Sequence, residues 1–181
     1  GVTPDFIIPA RRNNTDNRWT FHKSIGPTKG IPLNLTNTPT TSVNFWNNTS
    51  PTSSIVNVGN THNNEDDTYV FYCFAEVDSY SSIGSYTGFR PAFVMVKQAS
   101  TSSRDWIILD SARNTYNVSD LQLLPNTSDA ENTTFSSATA YLDMLSNGFK
   151  VRNSSVRNNE NTATYIYVAF AENPLKTANA R

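Results

Sequence analysis

His22 and His62 are the two imidazoles of the sequence, and Cys73 is its one thiol. A neutral-pH base needs an imidazole close to a nucleophile and to an orienting carboxylate. The two histidines lie far apart in sequence in dissimilar settings. His22 ends the strand-like run Arg18-Trp19-Thr20-Phe21-His22 and reads as a satisfied histidine on a sandwich face. Cys73 lies within Tyr69-Val70-Phe71-Tyr72-Cys73-Phe74, so a packed, shielded thiol is expected, without an intramolecular disulfide. The chain holds no nucleophile elbow, phosphate-cradling glycine loop or Cys/His metal cluster. No catalytic residue, metal site or cofactor is therefore expected. Glu76 and Glu172 end two similar strands, with Asp5, Asp105 and Asp110 near other strand ends. Such repetition favours carboxylates that cap or bond the backbone over a glycosidase pair. Glu65-Asp66-Asp67 offers oxygen ligands for calcium but lacks the spaced acidic and glycine pattern, so a solvated turn is expected.

Carbohydrate binding is the more serious option. Sugars stack on an exposed aromatic ring beside amides or carboxylates. Trp46, in Asn44-Phe45-Trp46-Asn47-Asn48-Thr49, is the leading candidate, although packing beneath its loop is the favoured reading for that ring. Tyr80, Tyr86 and Tyr116 are weaker candidates for the same work or for contacts between subunits. Asn13, Asn34, Asn47, Asn48, Asn117, Asn126, Asn132 and Asn153 fit the glycosylation pattern Asn-x-Ser/Thr. In a chain so rich in Asn, Ser and Thr such matches arise by chance; they mark polar surface loops.

Those residues need elements to hold them. Charged residues make up 16% of the 181 and the net charge is −1, which gives no basic field for nucleic acid. The longest apolar runs fall far short of the roughly 20 residues of a membrane helix, so a soluble protein is expected. The sequence starts at Gly1 without a secretion signal, which implies processing or a preceding region. Abundant Asn, Thr and Ser disfavour helix and favour turns and strands.

Self-similarity is the strongest organisational signal. Pro4-Asp5-Phe6-Ile7-Ile8 matches Pro91-Ala92-Phe93-Val94-Met95 at an offset of 87, which also carries Trp19 onto Trp106. Thr68 to Glu76 matches Thr164 to Glu172 at an offset of 96. Residues 1–76 and 91–181 therefore read as two copies of one β unit, and 77–90 as an ordered surface strap. Units this small favour one shared core. The closing strands Tyr69 to Ala75 and Tyr165 to Ala171, nearly continuously apolar, suit central positions covered on both faces. One helical turn is expected over Ala138 to Leu145, ended by Asn147-Gly148.

Pro-x-Phe with its apolar pair, the Trp-centred strands, Tyr69 to Val77, Gly84 to Lys97, Leu109 to Arg113, Leu145 to Lys150 and Ala169 to Pro174 together resemble a duplicated domain recurring in tail-fibre and other virion proteins of aquatic bacteriophages. The resemblance covers nearly the whole chain. It implies an all-β, concanavalin-like or jelly-roll sandwich with a structural or receptor-facing role and no enzymatic activity. It also implies a virion or extracellular setting, homo-oligomers or other virion proteins as partners, and host-surface glycans as ligands. The chain lacks the longer Gly/Asp-rich insertion expected between Gly88 and Phe89, which leaves any role of that loop open. A microbial surface-layer or filament subunit is the alternative, with a polysaccharide-degrading enzyme behind it.

Overall fold

The computed structural model describes residues 1–84, 88–131 and 142–173. Short runs of β-branched and aromatic residues between polar turns form strands throughout. They are β1 (Phe6–Arg11), β2 (Trp19–His22), β3 (Lys29–Pro32), β4 (Thr40–Thr41), β5 (Tyr69–Phe74), β6 (Ser81–Ile83), β7 (Pro91–Gln98), β8 (Trp106–Asp110), β9 (Leu142–Leu145), β10 (Gly148–Val151) and β11 (Tyr165–Ala171). One helical turn, α1 (Val43–Trp46), and a 3-10 turn at Asn60–His62 interrupt them. All strand pairings are antiparallel.

Two sheets dominate, ordered β4-β3-β2-β1-β5 and β6-β11-β7-β8, and β9 pairs with β10 as a hairpin. Phe6 and Ile31 of the first sheet share a buried cluster with Ile83, Met95, Trp106, Ile166 and Val168 of the second, as in a β-sandwich. Behind the first sheet, Ile7 and Phe21 are covered by Phe45 and Trp46 of α1. Gly30 permits that docking, because a Cβ there would stand 2.9 Å from the Phe45 ring. Behind the second sheet, Val94, Val96, Ile107 and Leu109 are covered by Leu142 and Met144 of the hairpin.

Buried donors also stitch the sheets together. Trp106 Nε1 donates to the Pro32 carbonyl at 3.0 Å, and Lys97 Nζ to the Gln98 and Thr36 carbonyls at 2.9 and 3.4 Å. His22 sits 3.1 Å from the Tyr167 carbonyl through Nε2, while its Nδ1 accepts from the Ser24 amide. That pairing fixes the neutral ring with its proton on Nε2.

Several expectations need correction. β5 is an edge strand, paired on one side by β1 alone, and Cys73 is exposed rather than shielded. The matching strand β11 lies between β6 and β7 and is covered on both faces. The difference is in the neighbours: β6 completes the second sheet, and no described strand does so beside β5. The strap is not a surface feature throughout, because Ser81, Ser82 and Ile83 are buried in pairing with β11. Leu142 to Leu145 form a strand where a helical turn was expected; the apolar pair Leu142 and Met144, two residues apart, covers the second sheet. Ala138 to Tyr141 lie outside the described residues. Trp19 and Trp106 are not equivalent. Phe6 pairs with His22, whereas Phe93 pairs with Asp110 rather than Leu109, a slip of one residue. A one-residue slip reverses the face, so Trp19 packs with the outer cluster against Phe45 while Trp106 points between the sheets.

Candidate functional site

The end of β1 and the start of β2 diverge, and the polar run Arg12 to Arg18 must bridge them. At its ends the Arg12 amide donates to the Thr68 carbonyl at 2.8 Å and the Leu33 amide to the Arg18 carbonyl at 2.9 Å, and side chains add to these bonds. Asn13 donates through Nδ2 to the Asp66 carbonyl at 2.9 Å and accepts from the Thr68 amide at 3.1 Å, which extends the β1–β5 pairing by an amide side chain. Asn34 accepts from the Arg18 amide at 3.0 Å and donates to Asn17 Oδ1 at 3.1 Å. Between these anchors the chain arches over a cleft of about 270 Å³, lined among others by Arg11, Asn14, Asp16, Asn17, His62 and Tyr69. A shallower hollow lined by Thr15, Asp16, Asn17 and Asn34 continues from it.

The cleft is polar but charge-balanced. Arg11 Nη2 meets Asp67 at 2.5 Å and Nη1 lies 3.7 Å from Asp16. Burial pushes the Asp67 carboxyl up, but hydrogen bonds from Arg11, Asn64 and Asn13 outweigh it and hold the group below its ordinary value. His62 is 4% exposed, ringed by Phe45, Trp46, Tyr69 and Phe71. Desolvation lowers it to about 4, so the ring is neutral at pH 7. Its Nε2 and the Arg11 Nε are buried with no hydrogen-bond partner.

The residues singled out from sequence are dispersed. Trp46 is 1% exposed and packed edge-on against Phe21, so it presents no face to a sugar. The sequence context was polar, but the helical turn swings the ring inward onto the sheet. Tyr80 is 43% exposed, its ring 6.3 Å from Phe170. Tyr116 is 85% exposed, the most open of the large apolar side chains among the described residues. Tyr86 and Asn132 lie outside the described residues. Among the glycosylation candidates, Asn13, Asn34, Asn117 and Asn126 each commit their amides to hydrogen bonds that hold loops. Asn47 and Asn48 are exposed at left-handed backbone positions, and Asn153 is partly buried.

The carboxylates at strand ends are in structural use. Glu76 pairs with Lys23, Glu172 with Arg90 at 2.6 Å, and Asp105 with Arg157 at 3.0 Å. Asp110 caps the Ala112 and Arg113 amides and pairs with the Arg113 side chain at 2.6 Å. Sequence reasoning missed the cleft. Its signal was present in Arg12-Asn13-Asn14-Thr15-Asp16-Asn17-Arg18, seven polar residues between two strands. His62, about fifty positions on, reaches the same place only through the 3-10 turn and the aromatic cluster.

No curated protein and no solved structure is significantly similar to the chain. A family model does match, over residues 1–174, nearly the whole length. The chain belongs to the family described as a domain of unknown function, DUF7483.

Proposed function

We propose that this chain is a non-enzymatic structural and adhesive module of a virion appendage, displaying ordered polar loops to host-surface glycans or to neighbouring subunits. The observation that carries the reading is the presentation of Tyr116. Its ring projects from a loop whose flanks are pinned. Asn114 accepts from the Asp120 and Leu121 amides at 3.0 and 2.8 Å, and Asn117 exchanges two hydrogen bonds with the Met144 backbone at 3.1 and 2.8 Å. An aromatic ring held out on a pre-ordered loop loses little entropy on contact, which suits stacking on a sugar face or a partner surface.

The resemblance to duplicated domains of phage tail fibres supports the same reading, as does a cross-link-free body with one core between its sheets. Duplication itself is part of the proposal. The order β2-β1-β5 recurs as β8-β7-β11, and Phe6 opposite Phe74 corresponds to Phe93 opposite Phe170. The slipped β2 register is a later divergence on this view, and the sandwich is of jelly-roll type. Tyr116→Ala is expected to cut glycan-array or cell-surface binding at least tenfold with the fold intact. Wild-type protein that binds no glycan and no host surface sinks the adhesive reading.

A further inference from the structure

The cleft beneath the Arg12 to Arg18 arch combines two kinds of groups. At its mouth stand short, neutral or paired side chains: the Asn14, Thr15 and Asn17 side chains, and an Asp16 carboxylate already drawn towards Arg11. In its floor lie the donor Arg11 Nε and the ring nitrogen His62 Nε2, both buried and both without a hydrogen-bond partner. Burying an unpaired polar atom costs on the order of 1–3 kcal/mol, so each is a standing demand for a hydrogen bond.

The chemistry of the two atoms narrows what can meet that demand. An anion would accept from Arg11 Nε but meets the Asp16 carboxylate at the mouth, and could give nothing to His62 Nε2 in the tautomer that carries its proton on Nδ1. A cation would donate to His62 but meets a guanidinium. A hydroxyl both donates and accepts, and is the simplest group that answers both. Charge points the same way: among the residues that line or brace the cleft, Arg11 and Arg18 are balanced by Asp16 and Asp67. The volume of about 270 Å³ is just below the range of about 300 Å³ and upward usual for drug-sized ligands, which fits one small ring. The adjoining hollow of about 330 Å³, sharing Thr15, Asp16, Asn17 and Asn34, leaves room for a second ring outside.

We infer that this cleft binds the terminal ring of a neutral saccharide, with Asp16, Asn17 and Asn14 engaging ring hydroxyls and Arg11 and His62 receiving the deepest one. The inference rests on the adhesive reading but assigns it a second site, separate from Tyr116. Both floor atoms are covered by neighbouring atoms, so the arch must give slightly to admit a hydroxyl. Its ends are fixed by backbone bonds at Arg12 and Arg18 and by the Asn13 and Asn34 side chains, while residues 13–17 between them belong to no strand.

The test is saturation-transfer NMR and calorimetry on the whole chain with a panel of neutral methyl glycosides, methyl glucuronide and inorganic phosphate as controls. A neutral glycoside is expected to bind at millimolar to high micromolar Kd. Asp16→Asn and His62→Phe are each expected to weaken it at least fivefold. Asp16 is at the surface, so Asp16→Asn tests the site even where His62→Phe disturbs the fold. Binding of only phosphate or glucuronide overturns the neutral class. Binding abolished by Tyr116→Ala but untouched by Asp16→Asn overturns the site while sparing the adhesive reading. No binding by any probe to folded protein also overturns it, and leaves the floor to water.

Discussion

His22 and His62 are the residues whose environment most changes their chemistry. Desolvation lowers both to about 4 against an ordinary value of 6.5. The unfolded chain binds these protons first as pH falls. Their contribution to stability is therefore complete above about pH 6.5 and is lost between 6.5 and 4. A shift of that size corresponds to about 3 kcal/mol per ring. Urea titrations are expected to show the midpoint falling steeply across that window, with His22→Gln removing about half of the fall. Gln retains a donor for the Tyr167 carbonyl without titrating. An unchanged pH slope in that variant contradicts the assignment. The burial of His22 was legible, because it alternates with Thr20 on one face of β2. The burial of Trp46 was the favoured of two readings, and that of His62 was not legible. Their neighbours in sequence are polar, and what encloses them is brought from β2, β5 and α1 by the fold.

At the scale of elements, the short strand β6 is more than a connection. Ile83 is fully buried in the core between the sheets, and β6 closes one side of β11. Ile83→Ala is expected to cost about 2 to 5 kcal/mol in chemical denaturation, and Tyr80→Ala distinctly less, since that ring is 43% exposed. Equal losses would mean that β6 packs only loosely. The strands were readable from their β-branched and aromatic runs and their polar turns. Their places in the sheets were not, since β5 and β11 share an apolar and aromatic pattern in opposite situations, edge and centre. The helical expectation at Leu142 to Leu145 failed for a related reason. Over so few residues an apolar pair suits either period, and the uncovered face of the second sheet decided for the strand.

At the scale of the molecule, four rings bridge the two halves. Phe6 and Phe74 are 6.0 Å apart, Phe74 and Phe170 5.7 Å, and Phe170 and Phe93 5.8 Å between centroids. With the shared core, the His22, Trp106 and Lys97 stitches leave little to separate the sheets in independent steps. Unfolding is expected to be one cooperative transition, with tryptophan fluorescence and far-ultraviolet circular dichroism coinciding. Two resolved transitions would show that the halves hold themselves up separately. The small size of the two similar segments favoured a common core but did not tell which faces meet: a single-residue difference in register places Trp19 in the outer cluster and Trp106 between the sheets.

The position of β11 also sets a timetable for synthesis. β7 can pair with β8 as soon as both leave the ribosome, yet its other side, and all of β6, wait for a strand made about seventy residues after β7 begins. Until then the apolar faces of half a sheet stand open to any strand nearby. Nascent chains stalled before Tyr165 should therefore be far more prone to aggregate than those released just after Ala171.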